Sequence, residues 1–284
     1  IIGIILALLF GVIVLGGAKR LTKVTGVLVP LMGLIYIVVA IVVLVINAGN
    51  LGAMFKSIFA SAFDFKAVFG GFTGSCIMWG IKRGLYSNEA GMGSAPNAAA
   101  TADVSHPAKQ GLVQMLSVFI DSILICTTTA LMCLSSGIAP TAEASGAPYV
   151  QETMRASLGA FGPVFIAVSL SLFAFTTLIG NYYYCEGCLR FIMNKKPSAS
   201  FLTVFRIVAV VLVFVGAILS AGIVWDTADM LQGLMVIVNI PVILLLTKPA
   251  IDCLEDYMSQ RKEGKEPVYI AKNCGIEIET DYWK

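Results

Sequence analysis

Glycine residues interrupt an apolar segment of membrane-spanning length between residues 68 and 96. Each glycine in a helix interior costs about 1 kcal/mol relative to alanine, so Gly70, Gly71 and Gly74 need a reason in ligand binding, hinge motion or packing. We predict a break in the helix at this point. The carbonyl groups that end one half would accept hydrogen bonds from an ammonium group, and the N–H groups that begin the other half would bind a carboxylate. Such a break suits a zwitterionic ligand.

The side chains around the glycines extend this binding hypothesis. Thr73 and Ser75 add hydroxyl groups, and three larger residues could form an apolar wall. The complete predicted substrate-binding set is Gly70, Gly71, Phe72, Thr73, Gly74, Ser75, Met78 and Trp79. The spacing of Gly70 and Gly74 is equally compatible with a small-residue surface against which another helix packs closely.

Asp121 is a second candidate because it lies inside a predicted membrane span. A carboxylate in that setting is costly and is usually functional. Helical spacing places Gln114, Ser117 and Thr128 on the same stripe, so this span has a polar face that must meet protein or water. Asp121 could couple a proton, hold a second cation or bond a neighbouring helix. We favour a structural or gating role, since the spacing names no partner.

The composition indicates an integral membrane protein built from helices. Hydrophobic residues make up 58% of the chain and charged residues 13%, with a mean hydropathy of +0.88. Soluble domains carry about a quarter charged residues. The net charge of +2 is too small to indicate nucleic-acid binding. The cysteines are scattered through apolar segments and the tail, which indicates no disulfide framework.

Seven segments are apolar enough to predict membrane crossings, given about 20 residues for a helical span. They are residues 1–16, 24–48, 66–81, 110–134, 162–189, 202–221 and 228–247. Residues 51–65 read as an amphipathic connector, and residues 149–158 as a short outer helix. We divide the chain into a transmembrane domain, residues 1–251, and a polar cytoplasmic tail, residues 252–284. Because the sequence begins inside an apolar segment, we expect the protein to be truncated at its N-terminus.

Lysine and arginine residues predict the orientation, because they concentrate in alternate loops. One set of loops and the tail contain Lys19, Arg20, Lys23, Lys82, Arg83, Lys109, Arg190, Lys195, Lys196, Lys248, Arg261, Lys262 and Lys265. The other set contains only Lys56, Lys66 and Arg155. Since basic residues accumulate on the cytoplasmic side, we expect the first set and the C-terminus to be cytoplasmic.

The residues after the glycine break resemble a known family. The loop at residues 84–96 reads GLYSNEAGMGSAP and is followed by NAAATADVSHPAKQG and VFIDSILICTTTA, while a later span reads FAFTTLIGNYYYCEGCLRF. These motifs are similar to the alanine/glycine:cation symporter family, the sodium:alanine symporters of the amino acid-polyamine-organocation superfamily. The resemblance implies an all-α, LeuT-like fold of two inverted five-helix repeats. About seven transmembrane helices, core helices four to ten, would be present, with residues 66–81 as the broken helix that opens the second repeat.

The resemblance also implies a sodium site on the fifth predicted span. Thr176 and Thr177 would be sodium ligands, because in this fold paired hydroxyls on the eighth core helix face carbonyls of the first. A sodium site built from several uncharged oxygen atoms is physically reasonable. The alternative is that these hydroxyls bond back to their own helix or to a neighbouring one, as hydroxyls in membrane helices commonly do.

The signature loop would act as an inner gate in such a protein. Its residues Ser87, Asn88 and Glu89 therefore join Asp121 as gating or coupling candidates. In sequence, the same three residues also resemble a helix cap.

The function that the resemblance implies is sodium-coupled symport of a small neutral amino acid, alanine or glycine, by alternating access across the plasma membrane, expected to be a bacterial inner membrane. We expect no catalytic residues and no cofactor beyond co-transported sodium. Expected partners are the amino acid, sodium, the lipid bilayer and N-terminal helices of the same protein, but no nucleic acid. The alternatives are a non-transporting fragment without the first three core helices, and a membrane enzyme that uses Asp121, His106 or the pair Cys185 and Cys188.

Overall fold

A computed structural model describes residues 2–16, 18–62, 72–141, 144, 146–193 and 197–274. Within these ranges all regular secondary structure is helical, which confirms the predicted class. The α-helices are α1 (Ile2–Leu15), α2 (Ala18–Ile46), α3 (Ala48–Ala62), α4 (Phe72–Ser87), α5 (Ala95–Ala99), α6 (Pro107–Phe119), α7 (Thr127–Ser135), α8 (Ala147–Leu158), α9 (Phe161–Met193), α10 (Ala199–Ile218) and α11 (Ala221–Lys262). A π-helical segment, Ile120–Cys126, joins α6 to α7, and a short 3₁₀ turn covers Ala271–Cys274.

Five helical stretches among the described residues are long and apolar enough to cross a membrane. They are Thr25–Ile46, Pro107–Ser135, Phe161–Met193, Ala199–Ile218 and Ala221–Lys262. These stretches overlap the second, fourth, fifth, sixth and seventh predicted spans. The first predicted span corresponds to the shorter apolar helix α1, and residues 66–71 of the third lie outside the described ranges. Large apolar side chains on these helices are exposed, as expected for surfaces that meet lipid.

Residues 1–82 and 122–220 form one compact unit in which α9 packs against α1, α2 and α8. One buried cluster of this unit comprises Tyr36, Ala40, Val43, Met132, Met154 and Ile166. A second cluster comprises Phe10, Val14, Ile179 and Tyr182. The apolar residues of α9 thus contribute to both clusters, which explains why this helix is buried more than the other candidate spans.

The short helix predicted at residues 149–158 is confirmed as α8, which begins at Ala147. Gly146 and Gly159 flank it with φ angles of 66° and 61°, a left-handed conformation that favours glycine. Gly162, at the start of α9, lies so close to the carbonyl of Met154 that any side chain there would collide with it. Glycine therefore allows α9 to begin directly against α8.

Residues 83–121 and 221–284 form the second unit, which contains the end of α4, the signature loop, α5, α6 and α11. At 42 residues, α11 is about 63 Å long, far more than the hydrocarbon core of about 30 Å requires. It continues through Pro249 and past the predicted domain boundary at residue 251. Lys248 and Asp252 form an ion pair of 2.6 Å one turn apart across that boundary. The polar residues after Pro249 therefore begin as helix.

Candidate functional site

The predicted substrate-binding segment is described in part. Gly70 and Gly71 lie outside the described residues. The next four predicted residues, 72–75, are helical and open α4. Met78 and Trp79 follow on the same helix, with 55% and 44% of their surfaces exposed. The described part of the segment is therefore a helix with accessible apolar side chains, and the helix break remains a prediction.

The signature loop after α4 is shaped by its own polar side chains. Asn88 accepts a hydrogen bond of 3.1 Å from the N–H of Ala90 and donates one of 3.2 Å to the carbonyl of Gly84. Glu89 has a φ of 62° and is the one non-glycine residue with positive φ in the described chain. Its carboxylate accepts a hydrogen bond of 3.1 Å from the buried hydroxyl of Ser94. Both predicted gating residues thus fix the conformation of the loop.

Ser87 and Asp121, the other two gating candidates, are in contact. The hydroxyl of Ser87 donates a hydrogen bond of 2.6 Å to the carboxylate of Asp121. Ser87 is the last residue of α4, and Asp121 lies in the π-helical segment. Such wide turns are frequently found at functional sites. Ser117, from the same predicted stripe, bonds instead to the carbonyl of Gln114 on its own helix.

Asn239 of α11 holds the signature loop through the backbone. Its Nδ2 donates hydrogen bonds of 2.9 Å to the carbonyls of Ala90 and Gly91. Gly93 has a φ of 77°, and a Cβ atom there would overlap the side-chain oxygen of Asn239. Only glycine fits this approach. The sequence analysis missed Asn239, although an amide inside an apolar span is a signal of the same kind as Asp121.

A second link joins α4 to α11 within the same unit. Arg83 forms an ion pair of 3.1 Å with Asp229, and its guanidinium lies 5.0 Å from the ring centroid of Trp225. The Asp229 side chain is only 14% exposed. The sequence analysis missed this pair as well, because 146 residues separate its members. Together with Asn239, it fixes the end of α4 and the signature loop to α11.

A cavity of about 780 Å³ opens beside the signature loop. Its wall is mostly apolar and is built from small residues of the loop, α5 and α6, with one residue from α11. Three amide side chains, of Asn88, Gln110 and Gln114, also line it. This arrangement can accommodate a small molecule or a packed segment with a few polar groups.

The two predicted sodium ligands occupy different faces of α9. Thr176 is 7% exposed, and its hydroxyl lies 3.0 Å from the carbonyls of both Leu172 and Phe173 on its own helix. Thr177 is exposed. The hydroxyl proton of Thr176 is therefore used within the helix, while its oxygen retains lone pairs that can bind a cation. The alternative of bonding back to the helix is observed for Thr176.

Glu186, at the cytoplasmic end predicted for α9, lies in a buried charge cluster. Its carboxylate accepts hydrogen bonds of 2.7 Å from the Tyr182 hydroxyl and 2.6 Å from Arg190. Arg206 of α10 lies 3.6 Å away and also contacts the Tyr182 hydroxyl at 3.3 Å. Glu186 and Arg190 are four residues apart, a spacing that places them side by side on one helix. Arg206 belongs to the next helix, so no local spacing indicates its contact.

The residues considered for enzymatic chemistry have separate partners. Asp121 bonds Ser87, whereas His106 bonds Asp256. Cys185 and Cys188 are both exposed on α9. Among the described residues, no group of three or more histidine, cysteine, aspartate or glutamate side chains is arranged to hold a metal ion.

Comparison with known proteins adds the family. Residues 1–271 match the profile of the sodium:alanine symporter family. This chain belongs to that family. The match confirms the resemblance of the signature loop and includes every candidate residue described above.

Three related proteins show what share of a relative's length the chain spans. It is 44% identical over 284 residues to the amino-acid carrier protein AlsT of Bacillus subtilis, which covers 100% of this chain and 60% of that protein. It is 42% identical over 280 residues to the probable sodium/glutamine symporter GlnT of Bacillus subtilis, covering 97% and 58%. It is 40% identical over 250 residues to the sodium/alanine symporter AgcS of Methanococcus maripaludis, covering 87% and 54%. The chain thus spans between 54% and 60% of the length of these relatives.

Proposed function

We propose that this chain is part of a sodium-coupled symporter that moves a small neutral amino acid, alanine or glycine, across the plasma membrane by alternating access. Family membership over residues 1–271 carries the proposal. The names of relatives, a sodium/alanine symporter and an amino-acid carrier, support sodium and an amino acid as the transported species. A LeuT-like arrangement, with core helices four to ten in this chain and the C-terminus in the cytoplasm, is part of the proposal.

The amino acid would bind at residues 70–75. Backbone carbonyls at a helix break accept hydrogen bonds from its ammonium group, N–H groups bind its carboxylate, and Thr73 and Ser75 add hydroxyl groups. Met78 and Trp79 would contact its side chain. Glycine at the break lets the backbone approach a small ligand closely. The first three core helices of the same protein would supply the facing wall.

Sodium would bind at Thr176 and Thr177. The lone pairs of the Thr176 oxygen are compatible with this role, because its proton is directed to carbonyls of its own helix. Sodium bound in one conformation favours that conformation and raises its affinity for the amino acid, which couples the two species. No covalent step is needed.

The inner gate would include the contact between Ser87 and Asp121. That hydrogen bond joins the end of α4 to the π-helical segment, while Asn88 and Glu89 hold the loop in shape. Opening toward the cytoplasm would break the contact, and closure would restore it. Asp121 then acts as a gating residue rather than as a proton carrier.

The test uses the full-length carrier in proteoliposomes with an inward sodium gradient. We expect uptake of labelled alanine, with glycine and glutamine as competitors that define the substrate. Thr73→Val should lower alanine uptake and Thr177→Val should raise the sodium concentration needed for half-maximal uptake. Thr227→Val is the control, because that exposed hydroxyl donates to the carbonyl of Ile223 on its own helix.

Three outcomes would contradict the proposal in different ways. Unchanged uptake in both Thr73→Val and Thr177→Val would reject the site residues. No sodium-driven uptake by the unsubstituted protein would favour a non-transporting role. Chemical conversion of the amino acid without a sodium gradient would favour a membrane enzyme.

A further inference from the structure

Residues 263–274, which we call the C-terminal strap, turn back after α11. Gly264, with a φ of 73°, makes the turn. Gln260 near the end of α11 then holds Val268 at two points: its Nε2 donates to the Val268 carbonyl at 3.0 Å, and its Oε1 accepts from the Val268 N–H at 2.9 Å. Pro267 is fully buried. The strap therefore lies along the end of α11.

The C-terminal strap also contacts the residues that lead into α6. The N–H of Tyr269 donates a hydrogen bond of 3.0 Å to the carbonyl of Ser105, and the Ser105 hydroxyl donates one of 2.9 Å to the carbonyl of Pro267. Lys109 donates to the Ser105 hydroxyl at 2.7 Å and forms an ion pair with Glu266. The strap thus joins α6 to α11 through both backbone and side-chain bonds.

His106, the single histidine of the sequence, lies under the strap with no exposed surface. Its Nδ1 accepts a hydrogen bond of 3.1 Å from the N–H of Ala108 and caps α6. Because a backbone N–H can only donate, Nδ1 carries no proton, and Nε2 donates to the carboxylate of Asp256 at 3.1 Å. Gln260 donates to the same carboxylate oxygen at 2.8 Å. One histidine therefore bonds α6 and α11 simultaneously.

Two tyrosine rings enclose His106 in edge-to-face contacts. Tyr257 of α11 lies 5.2 Å and Tyr269 of the strap 5.1 Å from its ring centroid. Tyr269 and Cys274 are 6% and 7% exposed and pack against Cys253. Burial raises the pKa of Tyr269 to about 12 and also raises the pKa of the Cys274 thiol, so both side chains are neutral at physiological pH. A docked strap therefore makes Cys274 a slow nucleophile.

Both helices that the strap joins also reach the signature loop or its gate. α6 begins at Pro107, next to His106, and the same helix continues to Asp121, about 21 Å further along its axis. α11 contains Asn239, which binds the loop carbonyls. A rigid helix that is fixed at one end is limited in how far its other end can move. Holding α6 to α11 at their cytoplasmic ends would therefore limit separation of the residues that surround the loop.

We propose that the C-terminal strap is a cytoplasmic latch. While docked over His106, it fixes the start of α6 to α11 and thereby restrains the contact between Ser87 and Asp121. Release of the strap frees α6 and loosens the gate. The consequence for gating rests on the proposed function, whereas the docking of the strap rests on the contacts described above.

The first test measures docking by the alkylation rate of Cys274 in the full-length protein, in vesicles whose cytoplasmic face is accessible. The modified cysteine is identified by mass spectrometry. We expect Cys274 to react at least about tenfold faster in Tyr269→Ala and in His106→Ala than in the unsubstituted protein. Tyr269→Ala leaves the His106 cap of α6 intact, so this variant still tests docking of the strap if His106→Ala fails to fold. Lys272→Ala is the control, because that strap residue is exposed. Equal rates in all four proteins would overturn the docking.

The second test measures the restraint on the gate without relying on transport. The reporter is hydrogen–deuterium exchange at the backbone N–H groups of Ala90 and Gly93 in the signature loop, which donate to Asn88 and Glu89 and leave the contact between Ser87 and Asp121 unaltered. Its rate is compared between the Tyr269→Ala and Lys272→Ala proteins. We expect faster exchange at the reporter in the Tyr269→Ala protein only. An unchanged reporter rate in a Tyr269→Ala protein whose Cys274 reacts faster would contradict the restraint on the gate. Absence of sodium-driven uptake by the unsubstituted carrier is a separate result, which would reject the proposed function and leave the docking of the strap in place.

Discussion

The hydroxyl of Ser87 donates a hydrogen bond of 2.6 Å to the carboxylate of Asp121. Ser87 belongs to the signature loop, whereas Asp121 is a carboxylate inside an apolar helical stretch. Their contact gives Asp121 the partner that helical spacing could not name. It also supports a gating role more than a free proton carrier, because one carboxylate oxygen already accepts a short hydrogen bond.

Removing the Ser87 hydroxyl should weaken this gate. A hydrogen bond to a charged group contributes about 1.5–3 kcal/mol, so we expect Ser87→Ala to lower the rate of sodium-driven alanine uptake by about tenfold or more. Ser117→Ala is the control on the neighbouring α6, because that hydroxyl donates to the Gln114 carbonyl of its own helix. Equal uptake rates in the two variants would contradict the role of the contact.

The sequence predicted the helices well because membrane spans are determined by local composition. A run of apolar residues must be helical in lipid to satisfy its backbone, whatever it packs against. The ends were harder to predict. The predicted transmembrane domain ends at residue 251, but the polar residues after Pro249 continue α11 to Lys262. An interior proline removes a single hydrogen bond, which a long, otherwise well-formed helix can lose.

Contacts between distant residues were the part that the sequence could not provide. The sequence predicts four gating candidates, Ser87, Asn88, Glu89 and Asp121. It does not predict which of them bond to each other. Asn239 and Asp229 were missed, because their partners lie on a helix or loop nearly 150 residues earlier. Pairing at that separation depends on how the helices pack, and no short-range pattern encodes it.

Gly93 should be required for the loop to bind Asn239. An alanine at position 93 would have to adopt the φ of 77°, which lowers stability by about 1–2 kcal/mol. The added methyl group would also displace the Asn239 amide. We expect a clear drop in the melting temperature of the purified protein in detergent. Gly84→Ala is the matched control, because that glycine is helical and open space surrounds its added methyl group. A similar melting temperature for both variants would reject the close approach.

The two arginines around Glu186 should differ sharply in their effect on stability. Arg206 is 17% exposed in its side chain and Arg190 is 44% exposed, yet both contact the same buried carboxylate. Arg206→Gln removes a poorly solvated partner of both Glu186 and the Tyr182 hydroxyl, and should lower the free energy of unfolding by about 1.5–3 kcal/mol. Arg190→Gln removes a solvent-screened pair and should cost about 1 kcal/mol or less.

Chemical denaturation of the purified protein measures both variants. The decisive result is which variant loses more free energy of unfolding, rather than the absolute size of either loss. A larger loss in Arg190→Gln than in Arg206→Gln would mean that Tyr182 and Arg206 do not hold Glu186 as observed.

Substitutions at Thr176 and Thr177 can distinguish a loss of sodium binding from a loss of protein stability. Thr176→Val keeps the shape of the side chain, and the two carbonyls that it contacts retain their helical bonds, so we expect little change in stability. Sodium binding should still weaken, because valine has no oxygen atom to donate. Thr176→Ser and Thr177→Ser keep that oxygen and should retain most of the affinity for sodium.

The readout is the sodium concentration for half-maximal alanine uptake. Thr203→Val on α10 is the control, because its hydroxyl bonds back to the Ala199 carbonyl in the same manner. If Thr176→Val and Thr203→Val have the same sodium dependence, the Thr176 hydroxyl serves only its own helix, and sodium must bind elsewhere.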